Sequence, residues 1–119
     1  MTITVSQPRL YTWKERLGRW PGPGGGLLVK REITIDNTAN DVDLKDYQIL
    51  ITLDTSDIIS RGFMRSDCGD IRFFDPDENQ WLSYFIEPET VNTTSTRIWV
   101  KIPLIPKNDT KTILIYYGN

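Results

Sequence analysis

From Leu27 onward the apolar side chains recur with a period of two. Val29, Arg31, Ile33 and Ile35 alternate with Leu28, Lys30, Glu32 and Thr34, and a polar turn from Asp36 to Asp41 follows. Tyr47, Ile49, Ile51 and Leu53 alternate with Gln48, Leu50, Thr52 and Asp54. Ile71 and Phe73 share a face in a strand ended by Asp75-Pro76-Asp77-Glu78-Asn79, and Trp81 to Glu87 reads as one further strand stopped by Pro88. Ile98, Val100 and Ile102 form a strand stopped by Pro103, and Ile113, Ile115 and Tyr117 form the last. Strict alternation over this length marks strands with one buried face. Six such runs separated by turn residues predict an all-β fold, an antiparallel, jelly-roll-like β-sandwich of six to eight strands. The single helical candidate is Asp57 to Met64, with Asp57 as cap and Ile59 and Phe63 on one face.

Residues 1–26 break this pattern and read as an arm and linker that packs on a sandwich domain of residues 27–119. Ile3 and Val5 suit a short strand, and Pro21-Gly22-Pro23-Gly24-Gly25-Gly26 excludes a helix or a central strand. Between them Arg9, Lys14, Arg16 and Arg19 are mixed with Tyr11, Trp13 and Trp20. Such a mixture can stack on single-stranded nucleic acid. The competing reading lays these rings over the core or a neighbouring domain. Met1-Thr2-Ile3-Thr4-Val5 lacks the basic start and apolar stretch of a secretory signal, and no run is long and apolar enough to span a bilayer.

Alternation also identifies what points away from the core. With Ile98, Val100 and Ile102 inward, Arg97, Trp99 and Lys101 point outward, as do Trp81, Ser83, Phe85 and Glu87 opposite Leu82, Tyr84 and Ile86. Arg72, Phe74 and Tyr116 follow the same rule. The expectation is a second face carrying Trp81, Phe85, Trp99, Tyr116 and Phe74 among Arg72, Arg97, Lys101 and Glu87. Flat rings beside charged groups suit a sugar, whose C–H faces stack while its hydroxyls hydrogen-bond. Two other readings compete: a docking surface for another domain, and a second packed face covered by the N-terminal arm.

Composition narrows the chemistry. The 119 residues contain no histidine and a single cysteine, Cys68. That excludes Ser-His-Asp and Cys-His systems, imidazole-bound metals and an internal disulfide. The net charge of −2 offers no global basic field for nucleic acid or anionic membrane. Carboxylates are the remaining catalytic material, and Asp70 with Glu87 is the candidate pair for a two-carboxylate glycoside hydrolase. Asp70 also suits a structural role, accepting backbone N–H bonds at the start of a strand. Asp75, Asp77 and Asn79 place hard oxygens at alternate turn positions, a set that would suit calcium and equally a solvated turn. Asn92-Thr93-Thr94 and Asn108-Asp109-Thr110 fit the glycosylation triplet in predicted loops.

Several stretches carry a family resemblance: Lys30-Arg31-Glu32-Ile33-Thr34-Ile35-Asp36-Asn37, Asp46 to Thr55, Met64 to Phe73, Tyr84-Phe85-Ile86-Glu87, Ile98 to Pro103, and Tyr116-Tyr117-Gly118-Asn119. Residues 29–119 thereby resemble an uncharacterised domain-of-unknown-function family of bacterial and archaeal surface and secreted proteins. Its members often lie beside concanavalin-like lectin domains or TolQ/ExbB-type proton-channel segments. Asp70, Glu87, Trp99 and Tyr117 fall on matching positions, while Phe85 stands where the family often has Trp. The resemblance implies an extracellular or cell-surface setting inside a larger protein.

Together these observations favour a non-catalytic module that binds a polysaccharide or glycan. Trp99, Trp81, Phe85 and Tyr116 would stack, and Glu87, Arg97 and Arg72 would supply polar contacts. The alternative is a structural or adhesive spacer packed on neighbouring domains or subunits. Neither reading involves nucleic acid, membrane insertion or a cofactor, calcium aside.

Overall fold

β-branched side chains on alternate residues suit a pleated surface with one face buried, and strands form where that pattern lies. The computed structural model describes residues 2–5, 9–12 and 27–118. In order, they form β1 (Thr2–Val5), β2 (Arg9–Thr12), β3 (Leu27–Asp36), β4 (Leu44–Leu53), helix α1 (Thr55–Ser60), β5 (Arg72–Asp75), β6 (Gln80–Trp81), β7 (Tyr84–Ile86), a 3₁₀ turn at Pro88–Thr90, β8 (Thr96–Ile105) and β9 (Thr110–Tyr117). One sheet has the order β1-β3-β9-β5-β6, with β2 also paired to β3, and the other has the order β4-β8-β7. All the pairings are antiparallel. The chain passes between sheets from β3 to β4, β4 to β5, β6 to β7 and β8 to β9, the crossing habit of a jelly roll. The sandwich expected from the alternation is the fold observed.

The core lies between the sheets. Ile33 and Ile35 of β3, Ile113 and Ile115 of β9 and Phe73 of β5 face Ile49 and Ile51 of β4 and Ile98, Val100 and Ile102 of β8, all at 2% exposure or less. Each such side chain contributes about 1.5–3 kcal/mol by leaving water. The strand expected at Ile3 and Val5 is present, and Arg9–Thr12 pairs with Leu27–Lys30, so parts of the 1–26 segment are built into the first sheet. The basic-aromatic run from Trp13 to Trp20 and the glycines after it lie outside the described residues.

Three local expectations are corrected. The helix starts at Thr55, not Asp57, because the Asp54 side chain accepts from the Asp57 N–H and caps it; it ends before Gly62, whose φ of 80° suits glycine. The run from Trp81 to Glu87 is two strands, since the chain changes sheets at Leu82–Ser83. Leu82 N–H donates to Phe73 O in one sheet, and Ser83 O accepts from Lys101 N–H in the other. Pro103 does not stop β8, which continues to Ile105. Its missing N–H costs nothing there: β7 pairs with β8 only at Ile98–Val100, and Asp46 on β4, at φ 48°, makes no bridge with it. The alternation slips at this point, so both Ile102 and Ile105 are fully buried.

Inward polar residues sit toward the two ends of β9. Lys111, 4% exposed, donates from Nζ to Asp75 Oδ1 at 2.7 Å and to Asp77 Oδ2 at 2.8 Å. Asp75 Oδ1 also accepts the N–H groups of Asp77 and Glu78, which shapes the turn between β5 and β6. At the other end Asp70, 2% exposed, accepts from Arg65 N–H at 3.2 Å and Gly118 N–H at 3.1 Å. Nearby Tyr117 is buried, and its hydroxyl is paired with Arg31.

Removing Lys111 alone leaves a buried, uncompensated carboxylate. Lys111→Met is therefore expected to cost about 3–5 kcal/mol in urea unfolding, and adding Asp75→Leu should recover only part of it, because the Asp77 and Glu78 N–H groups then lose their acceptor. Stability should also fall in alkali. Burial pulls the Lys111 ammonium down, but the hydrogen bonds and charges of Asp75 and Asp77 together hold it above its ordinary value. Burial also pushes Tyr117 up against the attraction of Arg31, and pushes the buried Cys68 thiol up. Each group binds its proton more tightly when folded, so each contribution is complete below the unfolded value and lost as pH rises through the raised one. The melting temperature should begin to fall above about pH 8.5 with Cys68 and drop more steeply above about pH 10.

Candidate functional site

The fully buried Ile98 and Val100 force Trp99 to the outer face of β8, the middle strand of the smaller sheet. The register then lays Leu50, Trp99 and Phe85 in one row across β4, β8 and β7, with Gln48 opposite Lys101 beside them. Glu87, just past β7, is tied to the same strand by its backbone N–H, which donates to Arg97 O at 3.0 Å. Its Oε2 accepts from Trp99 Nε1 at 2.8 Å and lies 3.2 Å from Arg97 Nε. A bond to Nε1 lies in the indole plane, so it fixes the ring by its edge and spends neither face.

Phe85 is 58% exposed and Trp99 half-buried, so the described residues form no closed second core on this face. Together with Gln48, Ser83, Tyr84, Glu87 and Lys101 they line an open groove of about 590 Å³. That volume lies in the range of small-molecule sites, and so does the makeup: apolar rings with a few polar groups at the rim. The amide of Gln48, the hydroxyl of Ser83, the ammonium of Lys101 and the carboxylate of Glu87 border three aromatic side chains, Tyr84, Phe85 and Trp99.

The expected aromatic face is in fact divided between two sheets. Trp99, Phe85, Glu87 and Arg97 share the outer face of the smaller one. Trp81, Tyr116 and Arg72 belong to the outer face of the larger, where Trp81 pairs with Phe74 in register and Arg72 with Tyr116. The sheet change at Leu82–Ser83 separates them, because it turns Trp81 and Phe85 to opposite sides of the sandwich. Trp81 remains 47% exposed. Tyr116 is only 8% exposed, with the Trp81 ring edge-on at 5.9 Å, so it supports Trp81 and is withdrawn from the stacking set. Arg72 donates from one nitrogen to Gly69 O, Ile71 O and the Tyr84 hydroxyl, which makes it a strut between loop and strand instead of a ligand partner.

The acidic candidates are likewise reassigned. Between Asp75 and Asp77, the place a calcium ion would take is filled by the Lys111 ammonium, and Asn79 is exposed in the following turn at φ 52°. Among the described residues no group of three or more histidine, cysteine, aspartate or glutamate side chains is placed to hold a metal. The hydrolase pair does not assemble either. Asp70 is buried on backbone N–H groups, the structural role read for it, and does not line the groove that Glu87 lines.

Gln48 and Tyr84 were not among the expected site residues. Gln48 reaches the groove only through the pairing of β4 with β8, a contact across more than fifty residues that periodicity does not encode. Tyr84 follows an inward parity, yet lies on a short edge strand where its ring reaches both sides: its hydroxyl donates to Ile71 O at 2.6 Å.

Fold and site define a small antiparallel β-sandwich with an open aromatic groove on the outer face of its three-stranded sheet. Residues 67–119, spanning β5 to β9 and including Glu87 and Trp99, match the family described as Domain of unknown function (DUF2341). No curated protein and no solved structure matches the chain.

The Glu87–Arg97 pair is partly exposed, so Arg97→Ala should cost less than about 1 kcal/mol of stability in chemical unfolding. Glu87→Ala frees the indole N–H and should shift the tryptophan emission spectrum, with the far-ultraviolet dichroism unchanged.

Proposed function

We propose that this domain is a non-catalytic carbohydrate-recognition module within a larger exported or surface protein. The observation that carries this reading is Trp99, held by its edge on Glu87 at the floor of an open groove beside the exposed Phe85. Stacking on sugar C–H faces needs an oriented ring whose faces are free, and preorganisation of that ring lowers the entropy lost on binding. The rim groups Gln48, Ser83 and Lys101 supply donors and acceptors for hydroxyls. The exported setting is supported by the resemblance of residues 29–119 to surface and secreted proteins, and a non-catalytic role by the separation of Asp70 from Glu87. Asn92 and Asn108, the two glycosylation triplets, are exposed, as modification in an exported chain requires.

One observation favours a second reading. On the larger sheet Trp81, Phe74 and Leu114 form an outer apolar cluster around Tyr116, the kind of surface a spacer would bury against a neighbouring domain.

Tryptophan fluorescence of the 119-residue chain, titrated with soluble laminarin, xylan and mannan, separates the two. A saturable change lost in Trp99→Ala, with the fold intact, is the expected result. A flat response to all three, together with self-association in sedimentation, would transfer the assignment to the spacer. Added calcium should leave the titration unchanged, since Lys111 occupies the acidic turn.

A further inference from the structure

The groove does not end at Phe85. Beside it lies a smaller notch of about 170 Å³, lined by Asp46, Gln80, Trp81, Leu82, Ser83 and Pro103 with Lys101. Ser83 and Lys101 line both depressions, so the two meet at the corner where the chain crosses between sheets. The same crossing that puts Trp81 and Phe85 on opposite faces thus also joins them along one edge of the sandwich. Three residues separate these two aromatics, so the path of four steps between their backbones is at most about 14 Å, the reach of a short oligosaccharide.

Resting on the carbohydrate reading above, we propose that the site is an extended one that takes a neutral, hydroxyl-rich linear glycan. The glycan runs from the Trp99–Phe85 groove over Ser83 and Lys101 to a second, mostly polar subsite bordered by Gln80 and Trp81. The charges along the path indicate a neutral ligand. Glu87 is matched by Arg97, and Asp46 is set against Lys101 within one notch, so an acidic chain finds no excess of positive charge. Besides Lys101, the polar groups left to meet a ligand are uncharged, two amides and a hydroxyl: Gln48, Gln80 and Ser83. The geometry indicates chain shape too. Trp81 and Trp99 look out of opposite sheets, so a polymer that touches both must bend around an edge, which a soluble, twisted chain can do and a flat crystalline one cannot.

Calorimetric titration of the full chain with neutral laminari-, xylo- and manno-oligosaccharides, from disaccharide to hexasaccharide, tests this. In a series that binds, the hexasaccharide should bind about tenfold tighter than the disaccharide, and Trp81→Ala should remove that gain while leaving the disaccharide unchanged. Because Trp81 also packs on Phe74 and Tyr116, Gln80→Ala provides a second variant. It is exposed, lines the notch alone, and should weaken the hexasaccharide only. Equal affinity at all lengths, or a loss in Trp81→Ala that includes the disaccharide, would overturn the extended path and leave the groove reading standing. Tighter binding of oligogalacturonates than of every neutral series would overturn the neutral class. If neither length binds in any series, the groove reading itself fails and the path with it.

Discussion

Two small sheets packed face to face leave room for one layer of side chains from each, roughly 10 Å in all. Here that layer is filled by isoleucine, valine and phenylalanine side chains that are almost wholly buried. Among the described residues, polar inward positions lie toward the ends of the sandwich: Lys111 with Asp75 at one, where Asp75 Oδ2 is left without a hydrogen bond, and Asp70 with Gly118 and Tyr117 with Arg31 at the other. The same filling leaves the exposed aromatic rings on the outer faces. The outer face of the smaller sheet offers a groove where its middle strand carries Trp99 beside an edge strand, β7, of only three residues.

What was legible in the sequence follows from how local each determinant is. Strand faces depend on parity alone, so Ile98, Val100 and Ile102 inward and Trp99 outward were readable. The structural role of Asp70 was readable as well, from its position at the start of a strand. Sheet membership is different. Trp81 and Phe85 have the same parity within one apparently continuous run, and only the hydrogen bonds of Leu82 and Ser83 to different sheets reveal the turn between them. The single aromatic face was therefore an artefact of treating 81–87 as one straight strand. Pro103 misled in the opposite direction, since a proline stops a strand only where its N–H is needed.

The acidic turn shows a second limit. Asp75, Asp77 and Asn79 have the spacing of a cation site, and a cation does lie there, but it is the side chain of Lys111. A lysine thirty-four residues from Asp77 is invisible to any local motif, and its inward parity on β9 reads as a strand end until the partner strand is known. The corner at Leu82–Ser83 acts in the same nonlocal way, dividing one set of aromatics and bringing Ser83 and Lys101 together between them.

The register also sets how the domain would carry a load. Thr2 pairs with Asp36, which pairs in turn with Thr110, whereas Tyr117 lies at the far end of β9 opposite Val29. The described chain thus enters at one end of the larger sheet and leaves at the other. Tension between those two points would pull β1 and β9 lengthwise against β3, across hydrogen bonds that run perpendicular to the strands. The bonds would have to shear as a group instead of unzipping one at a time, and Asp70 clamps the exit at Gly118. Under such tension the module would behave as a stiff mechanical link, with its aromatic edge still open to the side.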